Sequence, residues 1–313
     1  MFGPQRTSER PKRSLLGTFL WILLLFCVAR FVLLECTPAS GPLARSPAGA
    51  TTSSHTPSAS AANGGPHGLE PGASSVALHL PLGVPVDKDP SDDRILDEHS
   101  FVISYSPTKR EPNWVGWRLD RSYFGHVKRR NDFRPDPLLP SELYHVTERD
   151  YAHSGYDRGH MCPSADRDDS PEDNSTTFLF TNMQPQLHEL NAGPWEKLEI
   201  YERELASRPG AVLYIVAGGI FSSPPPTIGE GVAVPAANFK IIAVMREGEG
   251  AADVTDQTQI VTVIMPNERG VGDHEWTDFL TTVDAVEQAS GYDFLTAVPE
   301  PVARVIEARS AHP

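Results

Sequence analysis

The sequence predicts an α+β fold: a mixed, mainly antiparallel sheet core with flanking helices. Three observations carry this expectation. Two runs rich in β-branched and aromatic residues, Phe101–Tyr105 and Trp114–Leu119, are joined by a proline-marked turn at Pro107–Pro112. Three further runs, Ala211–Ala217, Phe239–Met245 and Gln259–Met265, are apolar enough to be buried strands. Finally, Trp195–Ser207 is free of glycine and rich in Glu, Leu, Lys and Arg, which reads as a helix, as does Trp276–Ala289. Runs of strands and helices in this order suit an α+β domain.

The chain has 313 residues, long enough for one large domain or two small ones. Residues 1–36 read as a signal peptide or N-terminal membrane anchor. Arg6, Arg10, Lys12 and Arg13 precede an apolar core from Leu15 to Ala29, and Phe31–Leu34 continues it past Arg30. With Arg30 snorkelling, Leu15–Leu34 is long enough to cross a bilayer, and the basic residues on its near side place the remainder outside the cytoplasm. The expected location is therefore extracytoplasmic, secreted, periplasmic or membrane-anchored, with a mitochondrial targeting segment as the lesser alternative. Residues 37–85 are Pro, Ala, Ser, Gly and Thr with few large apolar side chains. Such a stretch buries too little surface to offset its ordering entropy, so it reads as a disordered linker, and the folded domain is expected over residues 86–313.

Net charge is −14, and the basic head leaves the rest of the chain near −18. That excludes a protein that coats nucleic acid by bulk charge, but not a local cationic site. The three cysteines, Cys27, Cys36 and Cys162, have no metal-site spacing and form no readable disulfide framework. Cys162 reads as a small buried thiol.

Within the domain, Arg121 to Arg134 is a basic stretch with Tyr123 and Phe124 interleaved, and Phe133–Pro137 is an extended connector. Tyr156–Arg167 packs two acids, two arginines and His160 into a turn punctuated by Gly159 and Pro163. Thr176–Asn182 reads as a strand. Asn191–Pro194 then leads into the helix Trp195–Ser207, with Pro194 in its first turn and Pro209-Gly210 closing it. Asp293–Leu295 and a short helix near Pro301–Ala308 finish the chain.

Histidine beside arginine suggests phosphate chemistry. The imidazole can take a proton from water, and the guanidinium can hold a phosphate oxygen. Arg129 and Arg158 are candidates for that grip. Offsets of eight and four place Asn191, Glu199 and Arg203, with Trp195, along one drifting stripe of a helical segment. Amide and carboxylate oxygens with several waters suit a hard ion such as Mg²⁺.

Asp157-Arg158-Gly159-His160, followed by Pro163-Ser164-Ala165-Asp166-Arg167, resembles the signature of the DNA/RNA non-specific endonucleases, a family of the ββα-metal (His-Me finger) superfamily. Further blocks resemble that family in the same order. They are Asn131–Asp136, Thr181–Gln186, Asn191-x-Gly193-x-Trp195-x-x-Leu198-Glu199, Leu213–Gly218 and Gly291–Leu295. The resemblance runs from about residue 98 to the C-terminus and is strongest to the bacterial and cyanobacterial secreted-type branch. It implies a ββα-metal motif and an Mg²⁺-dependent endonuclease, with Mn²⁺ as a substitute ion. Such an enzyme cuts DNA and RNA to 5′-phosphate and 3′-hydroxyl ends. By resemblance His160 is the general base, Asn191 the direct metal ligand, and Glu199 the acid that holds the metal through water. Arg129, Arg158 and Arg203 stabilise the phosphate, and Asp157 orders its neighbours. The alternative reading is a catalytically silent, membrane-tethered nucleic-acid-binding module, such as a DNA-uptake component. An inhibitor protein is compatible with a toxic nuclease. Oligomeric state is open, because the family includes monomers and dimers.

Overall fold

The computed structural model of the chain describes residues 74–310. The apolar head and most of the Pro/Ala/Ser/Gly-rich stretch lie outside the described residues. Among the described residues, no helix is long and apolar enough to cross a membrane.

The described residues hold ten strands: β1 Arg94–Asp97, β2 Val102–Ser106, β3 Glu111–Asp120, β4 Asp157–His160, β5 Met183–Gln186, β6 Ala211–Ile220, β7 Thr227–Ile228, β8 Val232–Ala233, β9 Ala237–Arg246 and β10 Gln259–Pro266. The helices are α1 Val76–His79, α2 Glu148–Tyr151, α3 Pro171–Thr176, α4 His188–Leu190, α5 Glu196–Ala206, α6 Val283–Ser290 and α7 Glu300–Glu307. Six strands form one antiparallel sheet in the order β1-β2-β3-β6-β9-β10. The α+β architecture expected from the sequence is what the chain forms.

Both faces of this sheet are covered, and the period-two alternation of its central strands shows how. Leu213, Ile215 and Ala217 of β6 and Ile242 of β9 join Leu198 and Leu205 of α5 in one apolar cluster. The intervening Ile241, Ala243 and Met245 join Val283 and Val286 of α6 and Ile306 of α7 in another. Lys240 shares the face of Ile242, so its ammonium points at α5. There it pairs with Glu202 at 3.0 Å, both side chains fully buried, between the rings of Trp195 (4.7 Å) and Trp117 (5.3 Å). A lysine in a core strand thus finds one carboxyl group and two aromatic faces as its partners.

The structure corrects three expectations. Order reaches further toward the N-terminus than the linker boundary at residue 85. Leu80 and Leu82 are buried with Trp114 and Phe294 in the second cluster, and the Ser75 N–H and hydroxyl donate to Asp97. A side chain at Gly116 would strike Leu80, so β3 has a glycine where the N-terminal segment crosses it. Thr176–Asn182 is not a strand. Its first residue ends α3, whose cap is Ser170 with Pro171 in the first turn, and Phe180–Asn182 forms a short 3-10 turn before β5. Its apolar residues are buried as strand residues would be, but their backbone pairing is confined to one isolated bridge, Leu179 to Arg134. Finally, Trp276–Ala289 is not continuous. Trp276–Phe279 is a 3-10 turn, and α6 starts afresh at Val283 on the Thr282 cap and ends at Gly291, φ 86°.

Candidate active site

The site is built on a small unit attached to the side of the main sheet. Strands β4 and β5 pair antiparallel with His160 opposite Met183, and α4 and α5 follow directly: two strands, then helix. Gly159 is required inside β4 because a Cβ there would run into the Gln186 side chain across the pair. Asn182 braces the far end of β4. Its side chain accepts from the Cys162 N–H (3.0 Å) and donates to the carbonyls of Cys162 and Thr177, both at 2.9 Å. Cys162 is fully buried, and burial pushes its thiol pKa up, which suits packing and not nucleophilic chemistry.

Between α4 and α5 the helix is interrupted. Gly193 leaves helical geometry at φ −114°, ψ −119°, inside a wide turn over Asn191–Trp195. The single helical segment expected to carry the drifting stripe from Asn191 to Arg203 is therefore broken into two pieces. Trp195 is fully buried in the core while Asn191, Glu199 and Arg203 still reach the same pocket. The kink redirects Asn191 toward β4, where its Nδ2 donates to Asp157 Oδ2 at 3.0 Å.

Arg129, Arg158, His160, Asn191, Glu199 and Arg203 all line one pocket of about 310 Å³. They come from four places in the chain: the basic loop, β4, the kinked turn and α5. Asp157 lines an adjoining cleft of about 510 Å³, with which the pocket shares Arg129, Arg158 and Asn191. Asp157 is a bracing group: its Oδ2 also lies 2.8 Å from His188 Nδ1.

His160 is 7% exposed, set edge-on to Phe178 (ring centroids 5.0 Å apart) with Phe133 at 5.8 Å. Burial, then the charges of Arg129 and Arg158, push its pKa down to about 3. The imidazole is therefore neutral across the physiological range. Glu199 moves the opposite way. Burial raises its pKa to about 7, Lys240 and Arg203 pull it down, and Asp166 pushes it up. Arg203 donates to the fully buried Asp166 at 3.2 Å, and the Trp117 indole N–H holds the other carboxylate oxygen at 3.0 Å. Next to it, Arg167 is fully buried, donating to the carbonyls of Ser100, Asp166 and Arg118 with its guanidinium over Tyr123. Asp166 and Arg167 fix the turn after β4, and Asp166 also aims Arg203.

Arg129 donates to Ser164 Oγ (2.7 Å) and Asn131 Oδ1 (2.9 Å) and lies over Phe178 at 4.9 Å. Arg158 lies over Phe133 at 3.9 Å and pairs with Glu148 at 3.2 Å. Ser164, Asn131, Phe133 and Phe178 stand in stretches that the sequence marks but carry no site role there, and Glu148 stands in none of them. Nothing local linked Arg129 to Ser164, 35 residues away. The aromatic residues carried only a burial signal.

Among the described residues, no group of three or more His, Cys, Asp or Glu side chains could cage a metal. The pocket instead offers Asn191. With Nδ2 committed to Asp157, its Oδ1 is the free end of the amide, and no described residue donates to it. One amide oxygen beside a carboxylate, in a water-accessible pocket, fits a hard divalent ion that keeps most of its hydration shell.

Comparison with known proteins places the chain among nucleases. The family model described as DNA/RNA non-specific endonuclease matches residues 81–301. A nuclease of Nostoc sp. is 40% identical over 240 residues, covering 75% of this chain and 86% of that protein. The mitochondrial nuclease EXOG of Danio rerio is 32% identical over 214 residues, covering 64% of this chain, which spans only 60% of that longer relative. The crystal structure of an EndoG/EndoGI complex superposes with a TM-score of 0.60 at 25% identity, covering 73% of this chain and 94% of that one. The family match over residues 81–301 and the 40% identity to the Nostoc nuclease over 86% of its length show that the chain belongs to the DNA/RNA non-specific endonuclease family.

Proposed function

We propose that this nuclease hydrolyses phosphodiester bonds of DNA and RNA, without regard to sequence or sugar, in an Mg²⁺-dependent reaction that leaves 5′-phosphate and 3′-hydroxyl ends. The observation that carries this reading is the convergence of six groups on one pocket, with a neutral histidine sharing it with three arginines. Hydrolysis needs a base for water, cations around the charge growing on phosphorus, and a stabilised leaving oxygen. Neutral His160 takes the proton from the attacking water. Arg129, held by Ser164, and Arg158 and Arg203, each held by a carboxylate, are positioned before substrate arrives, so they stabilise the phosphorane with little reorganisation. A divalent ion held by Asn191 Oδ1 and, through water, by Glu199 would supply Lewis-acid stabilisation of the leaving oxygen. Non-specificity follows from a grip on phosphate and not on base edges.

The expected result is cleavage of supercoiled plasmid and of RNA in Mg²⁺ but not in EDTA. His160→Ala and Asn191→Ala should each lower kcat by about 10²–10⁴-fold. Cleavage undiminished by EDTA, or retained in His160→Ala, overturns the assignment of roles. We place the enzyme outside the cytoplasm on the strength of the apolar run Leu15–Leu34, which cell fractionation tests directly. A protein inhibitor belongs to the same proposal, since the EndoG structure that this chain resembles was determined as an inhibited complex.

A further inference from the structure

The cleft beside the pocket has a chemistry of its own. Its volume of about 510 Å³ exceeds that of the pocket, and its walls include Phe133, Tyr151 and Tyr156. Two carboxylates, Glu148 and Asp157, also line it. Arg129 and Arg158 line it as well, so two cations stand against two carboxylates and the cleft offers a phosphate no excess of positive charge. It suits a flat, neutral group instead: Phe133 is covered by the Arg158 guanidinium at 3.9 Å and Tyr151 is buried against Phe180, which leaves the half-buried Tyr156 ring and the Arg158 plane to stack on. Asn131 sits at the rim in a left-handed conformation, φ 52°. Its Oδ1 is taken by Arg129, so the donors of its amide are what it offers a ligand. Because Arg129, Arg158 and Asn191 line both cavities, a group in the cleft is adjacent to a phosphate in the pocket.

We propose that this cleft is a nucleobase subsite, which takes the unpaired base on one side of the scissile phosphate and leaves the base on the other side uncontacted. The inference rests on the nuclease reading of the pocket and names the substrate form that pocket prefers. A base in a duplex is stacked on both faces and paired along its edge, so it enters such a cleft only after leaving the helix. Single strands, and strands with a locally unpaired base, are therefore the favoured substrates.

The test uses the full-length protein and a 5′-labelled single-stranded oligonucleotide with one abasic position, its cleavage ladder compared with that of the parent strand. Losing one stacked base should lower cleavage about tenfold at one of the two phosphates flanking the abasic position, and leave the other as in the parent. A general effect of the gap on chain flexibility would weaken both equally. The duplex of the same sequence should be cut about tenfold less efficiently, by kcat/KM, than the single strand. In Tyr156→Ala, with an unchanged melting temperature, the two flanking phosphates should become equal. A symmetric ladder in the wild type, equal efficiency on duplex and single strand, or an asymmetry that survives Tyr156→Ala overturns the subsite while leaving the nuclease intact. Failure to cut the parent strand in Mg²⁺ would instead remove the catalytic reading, and the subsite with it.

Discussion

His160 and Glu199 face the same pocket and are shifted in opposite directions, which separates their pH dependences. The His160 pKa of about 3 lies below the ordinary imidazole range, so between about pH 3 and 6.5 the unfolded chain binds a proton there that the native state does not. That stability is fully present above the unfolded pKa and is lost as pH falls below about 6.5. Acidification from pH 7 to 4.5 should cost the wild type about 2–3 kcal/mol more than His160→Gln, read from urea midpoints at the two pH values. Equal losses in the two proteins would show that the imidazole is not held neutral. Glu199 carries its proton up to about pH 7. Its carboxylate must be free to hold the ion's water, so Mg²⁺ affinity should rise as pH rises through about 7 and flatten above it. Calorimetric titration checks this, and Glu199→Gln should remove that part of the slope. On the proposed roles, a rise in activity near neutrality would belong to the carboxylate, with the histidine ready well below it.

At the scale of elements, the site depends on where regular structure stops. The kink at Gly193 separates Asn191 from the axis of α5, and Asp157 on β4 captures the amide it turns outward. A carboxylate on the neighbouring strand thereby sets which end of the Asn191 amide faces the pocket. Asp157→Ala should weaken Mg²⁺ binding by about 10–100-fold, the usual cost of losing a group that orients a metal ligand, with the melting temperature little changed. Metal affinity equal to wild type would assign Asp157 to the hairpin alone. The same economy appears at the other end of β4. One Asn182 side chain joins the Cys162 peptide on both its N–H and C=O sides to the Thr177 carbonyl.

For the whole molecule, the main sheet is a platform whose two faces have different tasks. One carries α5, and through the buried Lys240–Glu202 pair it places positive charge under Glu199. The other is closed by α6, α7 and the N-terminal segment. That segment is part of the domain. A chain beginning at Val86 loses Leu80 and Leu82, buried at 7% and 5% exposure, and with them the lid on Trp114. Burial of two leucines is worth about 3–6 kcal/mol. A chain beginning at Ser74 should therefore resist urea by about that margin over one beginning at Val86, and matching midpoints would show that the segment is dispensable.

Much of this was legible in the sequence, because its signals are local. The runs of β6, β9 and β10 carry their burial in their own residues, and Asp157–His160 stands in an unbroken block. The composition of residues 37–85 as a whole hid the few apolar residues, Leu80 and Leu82, that find a surface to cover. The strand expected at Thr176–Asn182 failed because burial alone does not say whether a partner strand lies alongside. The chemistry of the site was also only half visible. The sequence by itself determined the fold class, the family and the reactive groups, since backbone periodicity and residue type are properties of the chain. Only the tertiary structure decided the neutral state of His160, the proton on Glu199, the orientation of the Asn191 amide and the aromatic cleft beside them. Each of these depends on burial and on charges brought together from distant segments, and electrostatic free energy follows distance in space, not separation along the chain.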